Sequence, residues 1–227
     1  MARSRVVIVG AGLGGLAATR ALRHAPADVI LIDRMNHHVF QPLLYQVATA
    51  GLTPGQIATP IRAIVQKQRN ATVILGEVTG IDKETKRVFV TGVDRTNVPL
   101  EYDYLILATG VQHSYFGHDD FAKFAPGLKT LAHAVDIRNM VLQAFEQAEA
   151  KEDPNRHRDL LTFILVGAGP TGVEMASALA VLVRGSMHSE FRRSNTAEAR
   201  ILLVDLAPRV LAQFPERLSQ AAQDARC

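Results

Sequence analysis

The chain has 227 residues, 48% of them hydrophobic, which is enough for one or two domains with real cores. Its 25 Lys and Arg against 22 Asp and Glu leave a formal charge of +3, and the basic residues are scattered apart from Arg184–Arg193, so no nucleic-acid footprint is expected. The single cysteine, Cys227, excludes a disulfide framework and any CxxC metal or dithiol site, in keeping with a reducing compartment such as the cytoplasm.

Arg5 to Asp33 reads as strand, glycine turn, helix and second strand. Val6–Val9 is a short unbroken apolar run, as in a strand buried on both faces of a parallel sheet. Gly10, Gly12 and Gly15 fit G-x-G-x-x-G, with Gly14 inside the same turn. The first glycine permits a tight turn, the second lets backbone approach a pyrophosphate, and the third lets helix pack on strand. A phosphate there sits on the helix N-terminus, where unpaired N–H groups and the dipole favour an anion. Asp33 follows Gly15 by 18 residues, at the end of the strand Val29–Ile32, where a carboxylate can accept the ribose hydroxyls of an adenosine. Met1–Ala25 mimics a secretory signal, but its apolar stretch contains the turn glycines, so that reading is rejected. No window approaches the length of a membrane span; Met175–Val183 is only nine residues.

Arg34–Pro54 reads as a long connection of the kind that lines a ligand crevice. His37 and His38 within it have no Cys, carboxylate cluster or HExxH pattern around them, so no metal site is expected. Ile57–Val65 reads as a short amphipathic helix with Pro60 in its first turn. Ala71–Ile81 and Arg87–Val93 alternate as an antiparallel pair around the turn Asp82–Lys86. Tyr104–Leu107 reads as a further buried strand, ending in the small residues Ala108, Thr109 and Gly110, which permit close backbone approach. Val111–Pro126 is loop-like, Leu131–Lys151 has helical spacing, and the polar stretch Asp153–Asp159, with Pro154, marks a linker.

The first pattern then repeats. Leu161–Val166 is an apolar strand, Gly167, Gly169 and Gly172 again fit G-x-G-x-x-G, a helix follows over Val173–Val183, and the strand Ile201–Val204 ends in Asp205. The acid lies 33 residues after Gly172 because Arg184–Ala199 inserts a polar loop. A carboxylate at that position repels a ribose phosphate, so NADH is expected over NADPH. The expected fold is α/β: two Rossmann-like dinucleotide-binding units with parallel sheets, plus a small antiparallel β insertion, the second unit truncated. The expected division is residues 1–153, a linker at 154–159, and 160–227. Two nucleotide sites in a chain without a dithiol suit one nucleotide held and one exchanged, the arrangement for hydride transfer from nicotinamide to flavin.

The order of these motifs resembles the two-dinucleotide-domain flavoproteins. Within them, HHVFQPLLYQVATAGL, PGLKTLAHAVDIRNMVLQAFEQAE, GAGPTGVEMASALA and LVDLAPRVLAQFP are similar to segments of bacterial type II NADH dehydrogenases, single-chain NADH:quinone oxidoreductases. The resemblance runs from about Arg5 to Pro215. It implies FAD on Gly10, Gly12, Gly14, Gly15 and Asp33, with Ala108–Gly110 beside it and Gln41–Gly51 approaching the isoalloxazine. It also implies NADH on Gly167, Gly169, Gly172 and Asp205, Glu174 near nicotinamide and flavin, and a quinone as electron acceptor. Disulfide reductases and sulfide:quinone oxidoreductases are disfavoured because the cysteines they need are missing. Two other expectations stay open: an NADH-dependent flavin reductase with a soluble acceptor, and a non-catalytic FAD- or NAD-binding module.

Family members are much longer. The resemblance therefore implies a truncated copy or fragment that lacks the rest of the second sheet, a returning Gly-Asp segment and a C-terminal quinone- and membrane-binding region. A full-length version is expected on the cytoplasmic membrane face, touching lipid only through that region, and a homodimer is compatible with it. An unfinished parallel sheet leads us to expect an uncovered apolar edge and face, poor solubility and weak FAD retention.

Overall fold

The structure is a computed structural model and describes residues 3–224, so Cys227 lies outside the described residues. In chain order the elements are β1 (Ser4–Val9), α1 (Leu13–Ala21), β2 (Ala27–Asp33), β3 (His37–Val39), α2 (Leu44–Ala48), α3 (Pro54–Ile57), β4 (Ala58–Pro60), α4 (Ile61–Val65), β5 (Ala71–Asp82), β6 (Arg87–Gly92), β7 (Arg95–Glu101) and β8 (Tyr104–Leu107). They continue with α5 (Leu131–Glu149), α6 (Pro154–Leu160), β9 (Thr162–Val166), α7 (Pro170–Val181), β10 (Arg200–Val204) and α8 (Glu216–Asp224). The chain divides into two compact units, one running to Val39 and resuming over Ala58–Gln112, the other made of Phe40–Ile57 and the chain from His113 onward.

The first unit is built on one six-stranded sheet in the order β7-β6-β5-β2-β1-β8. Strands β5, β2, β1 and β8 run parallel, with Val6 opposite both Val29 and Tyr104. The chain leaves β1 toward β2 on one side and later returns to β8 on the other, so the carboxyl end of β1 is a topological switch point. Strand β5 serves two sheets' worth of pairing. Its first half, Ala71–Leu75, pairs parallel to β2, and its second half, from Gly76, pairs antiparallel to β6 with a bulge between Val78 and Gly80. Apolar residues cover both faces. Val6, Ile8, Leu16, Val29, Leu31, Ile61 and Val65 form one buried cluster with α1 and α4, while Val7, Val9, Ile32, Val88 and Val90 form the other. Asn70 Nδ2 donates to the carbonyls of Leu22 and Ala27, both at 3.0 Å, which satisfies backbone acceptors past the end of α1.

In the second unit β9 and β10 pair parallel, Ile164 opposite Leu202 and Val166 opposite Val204. One face of the pair is covered: buried Phe145 of α5 lies 5.6 Å from the Phe163 ring, and α7 packs on β9 and β10. On the other face Ile164, Val166, Leu202 and Val204 stand bare, Val166 being 77% exposed. This is the uncovered apolar face expected for a two-stranded parallel sheet. Helix α5 also packs on α2, and α2 on α7.

Several elements differ from the sequence-based expectation. Ile57–Val65 is not one helix: Ala58–Pro60 pairs with β3 and Pro60 caps α4, because proline disfavours helix in the residue before it. Strand β8 is an edge strand rather than a buried one, with Tyr104 63% exposed. Strand β7, paired antiparallel with β6, has no counterpart in the sequence-based expectation. Residues 154–159, expected as a linker, lie within α6, and helix α5 belongs to the second compact unit, so the units do not divide at residue 153. Helix α7 starts three residues earlier than expected, at Pro170, a position where proline's missing N–H costs nothing.

Candidate nucleotide-binding turns

At the carboxyl end of β1 the chain turns at Gly10, whose φ of 101° strains any L residue. The Gly10 N–H donates to the Ile32 carbonyl at 2.7 Å, tying the turn to β2. Gly12 caps α1 with extended backbone, and a Cβ there would meet nothing within 4 Å, so the backbone is open to a ligand. At Gly15 a Cβ would lie 1.7 Å from the Gly10 carbonyl oxygen, so only glycine lets α1 sit this close to the turn. Gly14 has the Ala108 methyl at ordinary contact distance, 3.9 Å from its Cβ position.

The residue between the first two glycines, Ala11, is buried and held at both ends. Its N–H donates to Asp33 Oδ2 at 2.6 Å, while Asp33 Oδ1 accepts from the Met35 N–H at 2.7 Å. Each carboxylate oxygen keeps a further lone pair for a ribose hydroxyl. The Ala11 carbonyl faces His38 Nδ1 at 3.0 Å. A carbonyl only accepts, so Nδ1 carries the proton. From β8, the Ala108 N–H donates to the Val9 carbonyl at 2.8 Å, and the Ala108 carbonyl oxygen lies 2.3 Å from where a Gly10 Cβ would stand. Thr109 and Gly110 follow, both exposed, with Gly110 at φ 69°.

The second turn repeats the backbone and aspartate bonds of the first. Gly167 has φ 108°, and its N–H donates to the Val204 carbonyl at 2.7 Å. Gly169 caps α7, and a Gly172 Cβ would lie 1.9 Å from the Gly167 carbonyl oxygen. Asp205 Oδ2 accepts from the Ala168 N–H at 2.5 Å, and Oδ1 from the Ala207 N–H at 2.8 Å. The Ala168 N–H, then the Ala207 N–H, hold the Asp205 carboxyl below its ordinary value, so it is an anion at neutral pH. The Ala168 carbonyl accepts from the Leu211 backbone N–H at 2.8 Å. Arg209 shapes that segment by donating from Nη2 to the carbonyls of Ala212 and Phe214. A Cβ on Gly167 would meet nothing within 4 Å, and among the described residues no strand stands there as β8 does in the first unit.

The other sequence candidates fall into place less tightly. Glu174 is exposed on the second turn of α7, past the first turn in which the helix dipole would favour an acid. Gln41–Gly51 folds as a 3-10 turn over Gln41–Leu43 followed by α2, within the second unit. His37 Nδ1 lies 2.8 Å from Asn36 Oδ1, and no group of His, Cys, Asp or Glu among the described residues is arranged to hold a metal. A polar hollow of about 420 Å³ is lined by Lys151, Glu152, His157, Arg193, Asn195 and Glu198, none of them a residue of either turn. Beside it Glu149, the last residue of α5, accepts the backbone N–H groups of Arg192, Arg193 and Ser194 and the Ser194 hydroxyl, all within 3.1 Å. Glu149 and His38 carry no spacing signal in the sequence. Both reach their partners through tertiary folding alone.

Two glycine turns at the carboxyl ends of parallel strands, each closed by an aspartate at the end of the strand that follows its helix, define two Rossmann-like units. The chain belongs to the pyridine nucleotide-disulphide oxidoreductase family, whose pattern matches residues 4–226. It is 49% identical over 220 residues to the type II NADH:quinone oxidoreductase Ndh of Mycobacterium tuberculosis, covering 97% of this chain and 47% of that protein. It is 47% identical to NdhA of the same organism, again over 97% of this chain and 47% of the relative. The chain thus spans about half the length of the curated relatives it matches. Among solved structures, NDH2 of Plasmodium falciparum in complex with NADH superposes with a TM-score of 0.89 at 24% identity, over 96% of this chain and 45% of that one, which shows the shared fold.

Proposed function

We propose that this chain carries the two nucleotide sites of a type II NADH:quinone oxidoreductase, in which hydride passes from NADH to FAD and electrons pass on to a quinone. The observation that carries the reading is the duplicated turn with its paired aspartates, set in a chain about half identical to two such mycobacterial enzymes. FAD belongs on the first turn: Gly10, Gly12, Gly14, Gly15 and Asp33, with Ala108, Thr109 and Gly110 at its wall. NADH belongs on the second: Gly167, Gly169, Gly172 and Asp205. The turns fit these groups, because each offers an open glycine backbone at a helix N-terminus and a carboxylate with spare lone pairs. In this reading the FAD-binding part spans residues 1–153 and the NADH-binding part residues 160–227, although the compact units of the fold divide the chain elsewhere.

When bound, the flavin supplies the two-electron chemistry, so no side chain has to act as a nucleophile. The residues' tasks are to bind and orient. Asp33 and Asp205 each hold the turn and present acceptors to a ribose, and the anionic Asp205 disfavours a ribose phosphate, which favours NADH. Glu174, exposed on α7, would lie near the nicotinamide and flavin if the resemblance to the family holds at this position. The same reading includes a quinone acceptor, a homodimer and a peripheral position on the cytoplasmic membrane face. Among the described residues no helix is long and apolar enough to cross a membrane.

The test is a visible absorption spectrum of the purified chain after incubation with FAD, taken before and after adding NADH without oxygen. A flavin band that bleaches is the expected result. Absence of any bound flavin refutes the assignment of the first turn, and a band that persists refutes that of the second.

A further inference from the structure

We propose that His38 is a positioning residue of the first turn, fixing through the Ala11 carbonyl the direction in which the Gly12 N–H points. The proposal goes beyond the glycines and aspartates assigned above, and only its consequence for FAD rests on the functional reading. His38 Nδ1 lies 3.0 Å from the Ala11 carbonyl oxygen, and the donor in that pair is the imidazole. The Ala11–Gly12 peptide is planar and trans, since no cis bond occurs among the described residues, so its N–H points opposite to its C=O. Holding the carbonyl on His38 therefore aims the Gly12 N–H away from the imidazole. Gly12 is the residue that caps α1, and the space at its Cβ position is empty. Its N–H belongs to the unpaired donors at a helix start that receive an anion.

The second turn supplies an internal control. There the Ala168 carbonyl is also held, by the Leu211 backbone N–H at 2.8 Å, and the same planarity aims the Gly169 N–H. The requirement is common to both turns, and the first meets it with a side chain. His38 is carried to the spot by the short β3–β4 pairing, with His38 opposite Thr59, and is itself half-buried. Asp33 on the Ala11 N–H and His38 on the Ala11 carbonyl thus fix two successive peptides of the turn.

Two substitutions separate positioning from general packing. His38→Asn keeps a donor at about the place of Nδ1, whereas His38→Gln moves it toward the place of Nε2. In the nucleotide-free chain, hydrogen exchange followed by mass spectrometry is expected to speed up in peptides covering Val9–Leu16 for H38Q and to stay near wild type for H38N. Peptides covering Gly167–Val173 should not change in either variant. FAD binding, read by flavin fluorescence, is expected to weaken about fivefold in H38Q and to stay within about twofold in H38N, the loss of one neutral hydrogen bond. Equal exchange in the first turn for wild type and H38Q overturns the proposal. So does an equal effect of the two substitutions, or an equal disturbance of both turns. Should the wild-type chain take no FAD, the functional reading fails, while the exchange comparison still decides the role of His38.

Discussion

The two glycine turns share their glycine and aspartate hydrogen bonds but not their surroundings. Gly10 is walled by the Ala108 carbonyl, while Gly167 faces open space; Asp33 is half-buried, while Asp205 is exposed. The first turn sits in a six-stranded sheet and the second on a two-stranded one. The difference teaches that the turn itself needs only strand, glycines, helix, second strand and acid. Everything beyond that, the wall and the cover over the sheet, comes from parts of a chain far away in sequence.

The largest expected effect should be common to both turns. Gly15→Ala and Gly172→Ala would each press a methyl into the carbonyl of the turn's first glycine, at 1.7 and 1.9 Å, and neither backbone can yield. Each should cost about 3 kcal/mol or more, seen as loss of the soluble folded form or a large drop in thermal midpoint. A mild effect at either position would break the equivalence of the two turns.

The next effect should differ between them. Gly167→Ala places an L residue at φ 108° in open space, a strain of about 1–3 kcal/mol. Gly10→Ala adds to similar strain a collision with the Ala108 carbonyl, so its thermal midpoint should fall further. Equal shifts would mean that β8 contributes no wall.

The units also differ in how helix and second strand are joined. In the first, the link from α1 to β2 is short; in the second, the segment from Leu182 to Ala199 intervenes and is pinned by Glu149. The Ser194 N–H, followed by those of Arg192 and Arg193, holds Glu149 at about 2. Its folded pKa lies below the unfolded glutamate value of about 4.3, so its stabilisation is complete above about pH 5 and is lost as the pH falls toward 2. Urea unfolding followed across that range should show wild type losing stability more steeply than Glu149→Gln, and parallel curves would exclude the clamp. The smallest effect concerns ligand choice. Asp205→Asn should narrow the preference for NADH over NADPH by less than about tenfold, since the charge it removes is exposed to solvent and salt. Titration of both nucleotides checks this, and an unchanged ratio would remove Asp205 from that role.

Both turns, their strands and their aspartates were legible in the sequence, because each depends on contacts within one strand-turn-helix unit and on steric demands that only glycine meets. The antiparallel β5–β6 pair was legible for the same local reason. What escaped depends on distant partners. Residues 154–159 look like a linker by polarity, yet they lie in α6, where the His157 ring meets the Lys151 carbonyl and the Thr162 hydroxyl donates to the Arg158 carbonyl. Ile57–Val65 had helical spacing, but the pairing of Ala58–Pro60 with β3 overrode it. Helix α5 was legible as a helix but not as part of the second unit, since its buried Phe145 finds Phe163 and Phe191 only after folding. Two histidines in a connecting segment gave no hint that one of them serves the turn.

The wall of the first turn also sets a schedule. The Arg5 N–H meets the Asp103 carboxylate, a partner 98 residues further along, and β8 closes onto β1 at the same place. At a synthesis rate of about 5–20 residues per second, the emerging β1 waits about 5–20 s for that partner. Through this interval the nascent strand shows an unpaired edge to the ribosome's surroundings, and the pairing it awaits is non-local and slow. Between β9 and β10 the wait is shorter, Thr162 meeting Arg200 rather than a partner about a hundred residues on. Chaperone demand during translation should therefore concentrate on the stretch from β1 to β8.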